Sequence, residues 1–270
     1  MSPSDTRHSF SQPAARVHGA DAPTPIVLLC DHATNAIPDA FDSLGLTPAQ
    51  LETHIAYDPG AAALTVAMAG KLGAAYVLCN YSRLLIDVNR KPDDPDSIVV
   101  ENDGIRVPGN AEMSDADRSA RIRGIYQPYH QAIDQLLDTR LETRQTQLVI
   151  SVHSFTPRIG GMTRPWDIGI ILNRDRRLAR RLVGQLVEGC DGTRLTLGLN
   201  RPYSPDDRVY HTIERHGEER GLPCVMIEIA NNQLMTDAGC GQWADRLSAA
   251  LRAVLPDFSH TDSNSRTAPR

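Results

Sequence analysis

Three short apolar runs constrain this chain most, because each delivers one polar side chain able to bind a metal or move a proton. Ile26-Val-Leu-Leu-Cys30 ends in Asp31-His32, Leu148-Val-Ile-Ser-Val152 ends in His153-Ser154, and Cys224-Val-Met-Ile227 runs into Glu228-Ile229. A fully apolar run this short reads as a strand buried on both faces, as in a parallel sheet. Open α/β sheets bind their ligands at the carboxyl ends of such strands. The three polar side chains are expected there.

Two further runs, Ala75–Asn80 and Asp167–Leu172, read as strands. Helical spacing covers Ala61–Leu72, Leu178–Val187 and Gln242–Leu255, the last with a core stripe of Trp243, Leu247, Leu251 and Leu255. Thr47-Pro48 opens a short helix. Ser114 opens a longer one that runs to Leu141, with a kink expected at Pro128. This alternation predicts a single α/β domain over residues 25–256. Residues 1–24, rich in Ser, Pro and Ala, read as a mobile arm holding a solvated His8 and His18. Residues 257–270 read as a mobile polar tail that includes His260. The stretch 91–110 reads as a long loop of the kind that covers or lines a binding site. No repeat, P-loop or GxGxxG fingerprint is present, which argues against a dinucleotide fold.

A formal net charge of −5 offers no general field for nucleic acid or an anionic membrane. A small anionic substrate would have to meet particular arginines. The five cysteines form no CxxC pair and suit a reducing cytosol. No leader pattern and no membrane-spanning run is visible, so a cytoplasmic location is expected. Oligomeric state is not legible.

Zinc in hydrolases usually takes three protein ligands and keeps an open position. His32 and His153 are suitable nitrogen donors, and a carboxylate must complete the set. Asp58, in Tyr57-Asp58-Pro59-Gly60, is the first choice, although it could instead cap the following helix. Asp31 is the reserve; next to His32 on a regular strand it would face the other way. Glu228, flanked by Ile227 and Ile229, would have a raised pKa if buried and would suit a general base. The alternative is a buried salt bridge to an arginine. Asp87, inside an apolar run with Arg83, Asn89 and Arg90 around it, needs a partner because an unpaired buried charge is costly. That neighbourhood is either a structural ion pair or an anion clamp. His130 either reaches the site or packs. Ser154 has no GxSxG elbow, and Cys30 has no positive neighbour to lower its pKa, so covalent catalysis is not expected. The loop after His153, with Gly160, Gly161 and Arg164, is placed to contact substrate.

Seven short segments, in order along the chain, resemble the N-formylglutamate amidohydrolase family. They are Asp31-His32-Ala-Thr-Asn35-Ala-Ile-Pro38, Tyr57-Asp58-Pro-Gly60-Ala61, Ser82-Arg83-Leu-Leu-Ile-Asp87-Val-Asn89-Arg90, Tyr126-Gln-Pro-Tyr129-His130, Val152-His153-Ser154-Phe155, Asn200-Arg-Pro-Tyr203-Ser204 and Ile227-Glu228-Ile229. The resemblance spans about Val27 to Leu255. It implies a phosphorylase/hydrolase-like fold related to zinc carboxypeptidases, with a central mixed, mostly parallel sheet flanked by helices. It also implies one zinc per chain, a metal-activated water attacking an amide, and a glutamate as base and proton shuttle. By the same resemblance Asn89 and Arg90, with Arg83 close by, would bind the substrate carboxylate. Arg164 or Tyr203 would then help at the oxyanion. One departure is Ala230, where the family leads us to expect arginine in many members. The expected reaction is hydrolysis of N-formyl-L-glutamate to formate and glutamate. The alternatives are an amidase for another N-acyl amino acid or a peptidoglycan-type amide, and a non-catalytic binder of acidic amino acids.

Overall fold

The three apolar runs become neighbours. In a computed structural model, which describes residues 10, 12–142, 147–188 and 195–258, seven strands form one sheet. They are β1 (Ala15–His18), β2 (Ile26–Cys30), β3 (Ala75–Cys79), β4 (Leu148–Phe155), β5 (Ile168–Ile171), β6 (Leu197–Leu199) and β7 (Cys224–Ala230). Their order is β1-β3-β2-β4-β7-β5-β6. The central strands β3, β2, β4 and β7 are parallel. β1 runs antiparallel to β3, and β5 antiparallel to β7 with β6 parallel to it. The sheet is mixed and mostly parallel, as the resemblance implied.

Strand register sets what each face carries. Leu29 lies opposite Ser151, and His153 lies opposite Glu228. The two-residue repeat of a strand therefore puts Leu29, Ser151, His153, Met226 and Glu228 on one face. Lower on that face the side chains are apolar. Val27, Val77 and Val149 pack with Tyr129, Ile133 and Leu137 of a helix (α3, Gln127–Glu142). Toward the carboxyl ends they turn polar, and the core gives way to a site. On β2, β4 and β7 the opposite face is apolar as far as Ser154 at the carboxyl end of β4. Ile150, Val152 and Ile227 there meet Leu64 and Met68 of α1 (Ala61–Leu72), Leu182 of α4 (Arg177–Glu188) and Leu247 and Leu251 of α5 (Asp237–Val254).

Local chemistry sets the helix ends. Thr47 and Ser114 each make a capping box, with Gln50 and Asp117 respectively. The latter opens α2 (Asp115–Arg121). Between α2 and α3 a π-helical turn over Ile122–Tyr126 takes the place of the kink expected at Pro128. Proline has no N–H to donate, and a wide turn just ahead of it absorbs the lost bond. α5 starts five residues before the expected Gln242, because Thr236 accepts a bond from Gly239 N at 3.1 Å. Gly239 and Gly241 hide that first turn from a propensity reading.

Two boundary expectations need correction. Residues 15–18 of the supposed mobile arm form edge strand β1, and Tyr81 Oη donates to Gln12 O at 2.7 Å. An exposed edge of β3 would leave backbone groups unpaired, and this short strand covers it. His18 is stacked on Tyr76. At the other end Leu255–Phe258 continues as a 3-10 turn with Phe258 buried, so 257 and 258 belong to the domain. His8 and His260 lie outside the described residues. The 91–110 stretch carries a two-strand hairpin, Glu101–Asn102 with Ile105–Arg106. Its first half is tied down: Arg118 donates to Ser97 Oγ at 2.8 Å, and Asp87 N donates to Ser97 O at 2.7 Å. Among the described residues no helix is long and apolar enough to cross a membrane.

Gly169 in β5 lies opposite Glu228. A Cβ at residue 169 would sit 2.2 Å from Arg201 O and 3.2 Å from Glu228 Cβ. Gly169→Ala should therefore cost about 1–3 kcal/mol, the usual range for overpacking. A shift in the urea unfolding midpoint at unchanged slope checks this; an unshifted midpoint contradicts it.

Candidate active site

β2 stops at Cys30, and Asp31 and His32 lie on the turn beyond it. Asp58 N donates to His32 O at 3.0 Å, which ties this turn to the segment leading into α1. Gly60, at φ 82°, makes the turn into the helix and is its N-cap; a Cβ there would lie 2.3 Å from Leu234 Cβ. The Asp58 side chain is therefore not the cap. Its Oδ2 lies 3.2 Å from His32 Nδ1 and 2.8 Å from His153 Nδ1. One ligand atom from each of His32, Asp58 and His153 lies within 4.8 Å of the others, and all three residues are buried.

The far nitrogen of each imidazole is held by a second carboxylate. His32 Nε2 is 2.8 Å from Asp87 Oδ1. His153 Nε2 is 3.0 Å from Asp31 Oδ2 and 2.8 Å from Ser151 Oγ. Two imidazoles and a carboxylate converging on one point, with outer carboxylates orienting the rings, is the donor chemistry that zinc prefers. Between the two carboxylates considered, Asp58 faces the shared point and Asp31 stands outside it.

Asp87 finds the partner it requires. Arg83 Nη2 donates to its Oδ2 at 2.6 Å, and Asn89 N donates to its Oδ1 at 2.9 Å. Arg83 Nη1 also reaches Asp58 Oδ1 at 3.4 Å. Burial would raise the pKa of Asp87, but the charges of Arg83 and His32 outweigh it and hold the carboxyl well below its ordinary range. For Asp58, burial is outweighed by the His32 charge and the His153 hydrogen bond. For Asp31, it is outweighed by the His153 hydrogen bond and charge. All three are held as anions.

Glu228 differs. It is buried, and its Oε2 has no partner among the described residues, arginine included. Burial, aided by the Asp58 charge, pushes its pKa up to about 7 against the opposing pull of His153, His32 and Arg83. A carboxyl poised near neutrality can take and return a proton.

His32, Asp58, His153 and Glu228 line one cavity together with Arg90, His54, Asn102 and Tyr203. Among the described residues Arg90 makes long contacts, 3.7 Å to Asp87 Oδ2, 3.9 Å to Asp96 Oδ2 and 3.4 Å to the carbonyls of Asp207 and Arg208. Its fork has capacity for an anion. Asn89 differs from expectation: Nδ2 donates to Val209 O at 2.6 Å and Oδ1 accepts from Thr212 N at 2.9 Å. That amide fastens the 209–212 segment to the site wall. Tyr203 lines the cavity, and Arg164 stands behind it, donating to Tyr203 Oη at 2.9 Å. Ala230 is buried two residues beyond Glu228 and adds no charge there. Ser154 Oγ donates to Pro59 O at 2.8 Å, and burial raises the Cys30 thiol, so neither is an activated nucleophile. Sequence reasoning missed Ser151, His54 and Asn102. Ser151 alone left a signal, as a polar residue inside a buried strand.

His130 packs behind the cavity rather than entering it. Its Nε2 is 2.9 Å from Val88 O, and its Nδ1 is 2.8 Å from His216 Nε2. His211 lies alongside, 5.3 Å between ring centres.

A model of the N-formylglutamate amidohydrolase family matches residues 24–235. The crystal structure of gene product Atu2144 from Agrobacterium tumefaciens is 33% identical, with a TM-score of 0.86 over 92% of this chain and 97% of that one. N-formylglutamate amidohydrolase from Ralstonia eutropha JMP134 is 17% identical and shares the fold, with a TM-score of 0.65 over 93% of this chain and 100% of that one. Among curated proteins no sequence matches the chain.

Burial, followed by the Arg215 and His216 charges, lowers the pKa of His211 to about 4. The unfolded ring titrates near 6.5, so between about pH 4 and 6.5 the unfolded chain binds the extra proton. Stability from this group is full above pH 6.5 and is lost as pH falls through that window. His211→Asn should therefore flatten the fall of unfolding free energy with pH by up to about one proton. Urea titrations at pH 4.5, 5.5 and 6.5 measure it; parallel curves for the two proteins contradict it.

Proposed function

Because the chain belongs to the N-formylglutamate amidohydrolase family, we propose that it is a zinc-dependent hydrolase of an N-acyl amino acid, with N-formyl-L-glutamate as substrate and formate and glutamate as products. The observation that carries this reading is the unpartnered Oε2 of buried Glu228, on the strand beside His153 and in one cavity with all three converging donors. A burial that leaves a carboxylate oxygen unsatisfied costs stability, and such groups gather where chemistry needs them.

In this reading His32 Nδ1, Asp58 and His153 Nδ1 hold the zinc. When bound, the metal supplies a Lewis acid for the acyl carbonyl and acidifies water toward neutral pH. Glu228 accepts the proton of the attacking water and passes it to the departing amine. The hydroxyl ends on the formyl carbon, and the C–N bond breaks with the proton delivered to nitrogen. Arg90, backed by Arg83, receives a substrate carboxylate in its planar fork. Arg164 donates to the Tyr203 oxygen and leaves that hydroxyl's own proton free to meet the developing oxyanion. Asn89 serves by holding the 209–212 wall in place.

Glu228→Gln keeps the size of the side chain and removes the base. It should lower kcat on N-formyl-L-glutamate by roughly 10²–10⁴ while zinc content and thermal midpoint stay near those of the parent. Parental turnover in a folded, zinc-loaded Glu228→Gln protein would sink the mechanism. Arg90→Ala should raise KM more than it lowers kcat; an unchanged KM removes Arg90 from substrate binding.

A further inference from the structure

We propose that His130 is a positioning residue for the substrate carboxylate: it grips the peptide between Val88 and Asn89 and so aims Arg90. The inference rests on the reading of Arg90 as the anion fork.

Residues 81–90 form turns, with no helix or strand to satisfy their backbone groups. Val88 is buried, so its carbonyl needs a donor from the protein. His130 supplies it, with Nε2 at 2.9 Å from Val88 O. A carbonyl can only accept, so this nitrogen carries a proton whichever form the rest of the ring takes. The N–H of the same peptide, on Asn89, donates to Asp87 Oδ1 at 2.9 Å. Carbonyl and N–H share one rigid plane and point opposite ways. The peptide is therefore held at both ends, from α3 by His130 and from its own loop by Asp87. The Asn89 side chain fixes the next step by closing on Val209 O and Thr212 N. Arg90 follows directly. Its long contacts to Asp87 and Asp96 constrain its side chain little, so its direction comes from the backbone that carries it.

The gripping ring is itself braced. His130 Nδ1 lies 2.8 Å from His216 Nε2, and the two rings stack with 5.1 Å between centres. His216 Nδ1 lies 3.2 Å from Asp134 Oδ1, one turn along α3 from His130. Arg215 and Arg220 donate to that carboxylate at 2.8 and 2.6 Å. Packing alone asks for none of this. An apolar side chain at position 130 would fill the space and leave Val88 O without its donor. His130 stands behind the cavity, so it reaches substrate only through the peptide.

The test is steady-state kinetics of the zinc-loaded full chain on N-formyl-L-glutamate, with zinc content and circular dichroism as controls. KM does not depend on how much of the protein is folded or loaded, so it separates positioning from general damage. His130→Met should raise KM by about tenfold and keep kcat within about threefold, inside the range that misplacing a substrate-holding group can cost. His130→Gln places an amide nitrogen as far along the side chain as Nε2, and by restoring the hydrogen bond it should bring KM to within about threefold of the parent. In an Arg90→Ala background His130→Met should change KM by less than about twofold, because residues that act through one contact are not additive. A parental KM in folded His130→Met protein, or an equal rise with and without Arg90, overturns the positioning role alone. Should His130→Met fail to fold, His216→Leu decides, since it frees the ring and leaves its donor. A KM raised by about threefold, the scale of one weakened hydrogen bond, then supports the role, and a parental KM overturns it. A zinc-loaded parent with no turnover of N-formyl-L-glutamate overturns the proposed function, and the role of His130 in it.

Discussion

The site depends on the burial of Asp58 between two imidazoles. A carboxylate removed from water is costly unless paired, and here one oxygen meets His32 and His153 while the other meets Arg83. The constraint propagates outward. Each histidine can face Asp58 with one nitrogen only if something satisfies the other, and Asp87 and Asp31 do so. Those carboxylates are buried in turn and need their own partners. Arg83 and a backbone amide serve Asp87, and the hydroxyls of Ser151 in β4, Tyr129 in α3 and Thr212 in the 211–213 turn serve Asp31. The chain of obligations ends where it reaches helix and strand backbone. This is why a site drawn from two strands and the turn beyond a third has defined geometry.

The sheet makes this possible by changing character along one face. Under α3 the face carries Val27, Val149 and Met226; two to four residues further on it carries Ser151, His153 and Glu228. On β2, β4 and β7 the opposite face gathers no charged group and is packed under three helices, with Ser154 its polar residue at the end of β4. Chemistry is thus confined to one end of one face. There Glu228 is deprived of a partner while its neighbours are saturated. That contrast pushes its pKa toward neutrality and separates its behaviour from that of the three ionised aspartates.

Much of this was legible in the sequence, for physical reasons. Short apolar runs mark buried strands, and a polar residue that closes such a run must have a purpose. His32, His153 and Glu228 were visible in that way. Asp58 was harder, because an aspartate ahead of a helix is as often a cap; the deciding fact, that Gly60 caps α1, belongs to backbone geometry. The direction of Asn89 was not legible, because sequence does not say which way a side chain turns at a loop, and here its amide meets Val209 and Thr212. Edge strand β1 was invisible, since four residues give too little alternation to outweigh a Ser/Pro/Ala-rich context. Thr212 left no trace: its hydroxyl meets Asp31 across 181 positions of chain.

If His32, Asp58 and His153 form a metal centre, elemental analysis will find its metal. Protein purified without added metal, then reconstituted with zinc and desalted, should carry one zinc per chain, and His32→Ala and His153→Ala proteins should carry none. A parent protein that retains no zinc after reconstitution, or alanine variants that retain it in full, would contradict the account.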